Sequence, residues 1–156
     1  MNALVVYDSV FGNTEKVARA MGVALGVKKE VMVKRVTEVE DDDLEGLDII
    51  IVGSPTRGFR PAPGMSTFLK KLGAGCLTGA KAAAFDTRIP LETIKSKVFR
   101  FVVSKGGYAA PAMAKLLQAK GAELAAAPEG FFGIESEGPL VDGELDRAIA
   151  WVKAIP

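Results

Sequence analysis

Short apolar runs rich in strand-forming residues recur along this chain at residues 3–7, 31–36, 49–52 and 82–85, and a fifth stands at 124–127 with a further run at 131–134 as its continuation. Between several of them the spacing changes to that of a helix. Val17, Ala18, Met21, Ala24 and Leu25 share one face, as do Met65, Phe68, Leu69 and Leu72. A further helix is predicted over residues 111–120, closed by Gly121 as a C-cap, and a last one follows Asp142 with Leu145, Ala148, Ile149 and Val152 turned inward. Strands that alternate with helices form a parallel sheet, because right-handed crossovers lay successive helices against its two faces. The expected fold is a doubly wound, five-stranded α/β sheet.

A chain of 156 residues can bury a sizeable core without disulfides or a structural metal, and one domain over residues 1–156 is expected. No internal repeat or linker interrupts it. The acidic run at 40–43 reads as the solvated start of a short second helix, and 91–103 reads as either a helix or an extra strand. No apolar stretch approaches the roughly 18 residues of a membrane span, and the N-terminus lacks a basic region with a cleavage site, so a cytoplasmic protein without membrane insertion is expected. Cys76 is the only cysteine and histidine is absent, which removes disulfide frameworks and the commonest zinc and triad chemistries; no metal site is expected. The net charge of +1, with scattered Lys and Arg, offers no continuous basic face, and nucleic acid is not an expected partner.

In open parallel sheets ligands bind beyond the carboxyl ends of the strands. The first such loop reads DSVFGNTEKVA at residues 8–18. Unpaired N–H groups at a helix start, the positive end of its dipole and the Ser9 and Thr14 hydroxyls form a phosphate cradle that needs no lysine. A plainer reading makes Asn13 or Thr14 an N-cap with Gly12 in a turn. The loop has neither the GKS/GKT ending of a Walker loop nor the GxGxxG of dinucleotide folds, and Gly73, Gly75 and Gly79 precede a strand and read as a turn.

Ser9, Val10, Phe11, Gly12, Asn13 and Thr14, SVFGNT, resemble the FMN-phosphate signature of flavodoxins; Phe11 stands where many of them carry a third hydroxyl. The segment GSPTRGFRPAPGMSTFL, beginning at Gly53, resembles their second flavin loop and contributes Ser54, Pro55, Thr56, Arg57, Gly58 and Phe59. Phe85, Asp86, Thr87 and Arg88 resemble the third, and the tail at 137–151 resembles the C-terminal helix of the family. The resemblance implies strand order 2-1-3-4-5 and one non-covalent FMN. It implies a monomer that carries single electrons between a donor and an acceptor redox protein, with no catalytic side chain of its own.

Phe59 is the one obvious aromatic in these loops for stacking on the isoalloxazine, and Gly58 is the position whose peptide, by resemblance, turns over on one-electron reduction. Arg57, Arg60 and Arg88 outnumber the single acid, Asp86, in the second and third loops; the expected local field is positive. An FMN-dependent NAD(P)H:quinone or flavin reductase on the same fold is the main alternative, although such chains are usually longer. A receiver-type signalling domain fits poorly, since Asp8 stands alone and Gly53 and Ser54 replace the phosphate acceptor.

Overall fold

The computed structural model describes residues 2–9, 12–26, 30–57, 60–89, 108–134 and 139–155, with Arg57 as backbone only. The apolar runs become parallel strands. β1 (Asn2–Tyr7) pairs on one side with β2 (Glu30–Arg35) and on the other with β3 (Ile49–Arg57), which pairs in turn with β5 (Lys81–Arg88). β4 (Arg60–Pro61) folds back antiparallel onto β3. The last position beside β5 is shared by β6 (Glu123–Leu124) and β7 (Glu129–Phe132), so the expected fifth strand is present in two pieces. With β4 set aside, and β6 and β7 counted as one, the order is the expected 2-1-3-4-5.

Strict alternation along the central strands builds the two apolar layers, since neighbouring side chains point to opposite faces. Leu4, Val6, Ile50, Val52, Ala82 and Ala84 meet Met65 and Leu69 of α2 (Pro63–Lys71) and Ala110, Met113 and Leu117 of α3 (Ala109–Ala119). Ala3, Val5, Tyr7, Ile49, Ile51, Ala83 and Phe85 face Val17, Ala18, Met21 and Leu25 of α1 (Asn13–Leu25) and Ala148 and Val152 of α4 (Glu144–Lys153). Phe85, Phe131 and Trp151 close this second layer as an edge-to-face cluster with ring centroids 6.0 to 6.5 Å apart.

Some expectations change. β3 and β5 extend beyond their apolar runs, because Ser54 and Pro55 continue in register with Asp86 and Thr87 and β4 adds pairing at Thr56 and Arg57. The residues read as loops therefore lie on strand ends. The acidic run forms a one-turn 3-10 helix, Asp41–Leu44, in which Asp43 accepts the Glu40 N–H and pairs with Lys34 at 2.8 Å. Leu145, expected inward on α4, is exposed, while Glu144 is buried. The Glu144 carboxylate accepts the Phe132 N–H at 2.7 Å and pairs with Arg147, which fixes the rotation of the helix. Residues 91–103 lie outside the described residues, as do Val10, Phe11, Gly58 and Phe59.

Candidate functional site

The register of the sheet brings the ends of β1, β3 and β5 together. Tyr7 is level with Gly53 and Gly53 with Phe85, and the Asp8 N–H donates to the Gly53 carbonyl at 3.0 Å. Past this junction the chain enters α1 through Gly12, whose φ of +98° is a left-handed conformation that glycine adopts without strain. Neither Asn13 nor Thr14 caps the helix: no side chain caps its start. Ser9 Oγ accepts the Gly12 N–H at 3.0 Å, and the Thr14 hydroxyl bonds to the Thr87 hydroxyl at 2.8 Å. The N–H groups of Asn13, Thr14 and Glu15 find no acceptor among the described residues. Among the described residues nothing outside its chain neighbours lies within 4 Å of the place a Cβ on Gly12 would occupy. An uncapped helix start with free donors and positive partial charge suits a phosphate dianion.

Four side chains flank the loop from the β2 side. Arg35, the last residue of β2, donates through Nη1 to the Ser9 carbonyl at 2.9 Å and through Nη2 to Glu15 at 3.2 Å, with its guanidinium 5.1 Å from the centroid of Tyr7. Arg19 donates to Glu15 at 2.8 Å, and this bond, more than the neighbouring Arg35 charge, holds the Glu15 carboxyl below its ordinary range. Sequence reading missed Arg35. It follows an unremarkable apolar run, and only the pairing of Tyr7 with Arg35 across β1 and β2 brings it to the loop.

Most side chains of the second and third segments are committed to the protein. Ser54 Oγ accepts the Ala62 N–H at 2.7 Å and donates to the Pro55 carbonyl at 3.0 Å. Thr56 Oγ1 accepts the Ala109 N–H at 3.0 Å, and Asp86 accepts the Ala110 N–H at 2.9 Å, so both strand ends cap α3. Phe85 is wholly buried, and a Cβ on Gly53 would overlap its ring; any ligand contact at Phe85 is through its backbone. Arg88 grips Asp86 through Nε and Nη2 at 2.6 and 2.7 Å and lies 3.6 Å from the centroid of Tyr108. Burial pushes the Asp86 carboxyl up from its ordinary value, against the pull of Arg88 and the Ala110 N–H. The expected positive excess, three arginines against one acid, is unchanged by the pairing of Arg88 with Asp86, which leaves it to the positions of Arg57 and Arg60. Among the described residues no group of three or more Cys, Asp or Glu is placed to hold a metal ion.

The strand order defines an α/β fold of the doubly wound class; in such folds ligands bind beyond the carboxyl ends of the strands, here the ends of β1, β3 and β5. Residues 4–89, more than half of the chain, match the flavodoxin domain family, and the chain belongs to that family. Members of this family bind flavin. The fold is similar to a flavodoxin from the domain Archaea, at 24% identity and a TM-score of 0.77 over 99% of this chain and 96% of that one. It is also similar to oxidised flavodoxin 2 from Bacillus cereus, at 22% identity and a TM-score of 0.76 over 99% and 97% of the two chains. A protein named NAD(P)H dehydrogenase (quinone) from Azorhizobium caulinodans is 36% identical over 54% of this chain and 55% of its own length. The chain thus spans about half the length of that curated relative. Among the described residues no helix is long and apolar enough to cross a membrane.

Proposed function

We propose that residues 1–156 form a single domain that binds one FMN without covalent attachment and carries single electrons between two redox proteins. The observation that carries the reading is the uncapped start of α1, where the N–H groups of Asn13, Thr14 and Glu15 have no acceptor among the described residues and stand beside two hydroxyls that are bonded within the protein. The flavin supplies the redox chemistry when bound, and the protein's part is to hold and orient it and to set the charge around it. Ser9, Val10, Phe11, Gly12, Asn13 and Thr14 take the phosphate. Ser54, Pro55, Thr56, Arg57, Gly58 and Phe59 face the ring with Asp86, Thr87 and Arg88 and the backbone of Phe85. The test is a titration of apoprotein with FMN, FAD and riboflavin: FMN binds much more tightly than the other two, and equal affinity for FMN and riboflavin overturns the phosphate assignment. Thr14→Ala weakens FMN by roughly 1 to 3 kcal/mol, the range for a hydrogen bond to a charged group.

The second reading is an FMN-dependent NAD(P)H:quinone reductase, favoured by the name of the Azorhizobium relative. It requires direct hydride transfer from the nucleotide. Rapid oxidation of NAD(P)H by quinone with the FMN-loaded protein alone supports it; turnover only after addition of a separate reductase supports the carrier.

A further inference from the structure

We propose that Arg35 is a positioning residue of the phosphate cradle, holding the Ser9 peptide in place and lending a cation to the SVFGNT segment, which has none; this rests on the FMN reading. The SVFGNT segment contains no lysine or arginine, so charge complementarity within it comes from the helix start alone. Ser9 makes the turn with two groups: its hydroxyl accepts the Gly12 N–H at 3.0 Å, and its carbonyl accepts Arg35 Nη1 at 2.9 Å. A carbonyl oxygen left beside the cradle repels an anion. Bonded to the guanidinium it is occupied, and the Ser9 peptide is fixed in the orientation that keeps Oγ on Gly12.

The same guanidinium makes three contacts that need its planar fork: Ser9 with one nitrogen, Glu15 with another at 3.2 Å, and the face of Tyr7 at 5.1 Å. Its field is moderated by its neighbours. Glu15 lies between Arg35 and Arg19, so the three side chains sum to one positive charge beside the loop. Arg35 therefore strengthens binding of a phosphate-bearing flavin, and Glu15 restrains it. The two residues are predicted to act on FMN in opposite directions, which general damage to the loop does not produce.

The experiment measures dissociation constants of FMN and riboflavin, by quenching of flavin fluorescence at low and high salt, for the parent and for Arg35→Gln, Arg35→Lys and Glu15→Gln. In Arg35→Gln, FMN weakens about tenfold at low salt, as expected for losing a cation and its hydrogen bond near a dianion, while riboflavin changes less than about twofold. The FMN loss narrows at high salt. Arg35→Lys keeps the charge without the fork and falls between parent and Arg35→Gln. Glu15→Gln tightens FMN and leaves riboflavin in place. Equal weakening of both flavins in Arg35→Gln, no change in FMN, or a Glu15→Gln protein that loses FMN selectively overturns the assignment of Arg35. A parent that binds FMN and riboflavin equally instead overturns the phosphate reading on which it stands.

Discussion

Thr14 and Thr87 stand 73 residues apart, yet their hydroxyls share one hydrogen bond, with 1% and 7% of the residues exposed. The sequence singles out Thr14 because it closes a local motif. The partnership with Thr87 was invisible, since it depends on how α1 is seated above β5, and no local pattern encodes that. Phe85 shows the converse: its place next to Asp86 suggested a ligand loop, but the strand alternation that continues through Ala83 turns it into the core. Removing one hydroxyl of the threonine pair leaves the other buried without its partner, at a cost of about 1 to 3 kcal/mol, whereas removing both leaves no orphan. Thr14→Val and Thr87→Val are each expected to lower stability by that amount, and the double variant by clearly less than the sum. Urea denaturation of the four proteins without flavin measures the coupling; additive losses would mean that the bond contributes nothing.

At the scale of elements, the periodicity in the sequence located the four described α-helices to within a few residues, because each packs one apolar stripe on the sheet. It did not reveal what starts α3. That start is bound by Thr56 and Asp86, polar residues on two strands distant in sequence. The fifth strand was legible as two runs for a physical reason: β6 and β7 pair with opposite ends of β5, at Lys81 and Ala82 and at Phe85 through Arg88. Asp86 is wholly buried and depends on Arg88, so Arg88→Met strands a charge and is expected to cost about 3 to 5 kcal/mol near neutral pH. Asp86→Asn costs less, because Asn still accepts from Ala110 and Arg88 is partly open to solvent. The pH dependence distinguishes them. Burial holds the folded Asp86 pKa above its unfolded value, so without Arg88 the folded state binds the extra proton, and the Arg88→Met deficit shrinks as pH falls through that window. A deficit that stays constant with pH contradicts the stranded-charge account.

Glu144 behaves with the opposite sign. Arg147 and the Phe132 N–H lower its pKa, so its contribution is complete above the unfolded value and is lost as pH falls through the folded one. Glu144→Gln is expected to destabilise the protein at neutral pH and to flatten the acid limb of its stability curve, both read from thermal melts across pH. An acid limb as steep as that of the parent would mean that Glu144 does not contribute to it. Sequence reading assigned the inward position to Leu145 because apolar spacing favours it; the buried Glu144 pair wins because it satisfies a strand N–H at the start of the helix.

Over the whole molecule, the charges that can act on a bound flavin and its partners depend on which arginines are paired. Arg57, Arg60 and Arg88 outnumber Asp86 by two, and the pairing of Arg88 with Asp86 leaves that net positive balance unchanged while assigning it to the positions of Arg57 and Arg60. Arg60, on β4, is exposed and has no carboxylate partner among the described residues. Arg57 and Arg60 are paired in the backbone register of β3 and β4, so the hairpin within the second segment carries both arginine positions. A positive hairpin there favours the more reduced, anionic form of a bound flavin and a partner with an acidic face. With FMN bound, Arg60→Gln is expected to lower the second one-electron potential by on the order of 20 to 40 mV at low salt, and by less at high salt, since exposed charges are screened within about a Debye length. Arg88→Gln is expected to change stability far more than potential, because removing one member of a neutralised pair acts first on the buried carboxylate. Spectroelectrochemical titration of the parent and both variants at two salt concentrations measures this. If Arg88→Gln lowers the potential more than Arg60→Gln does, in proteins of equal stability, the field at the flavin is set by the buried pair and not by the exposed hairpin.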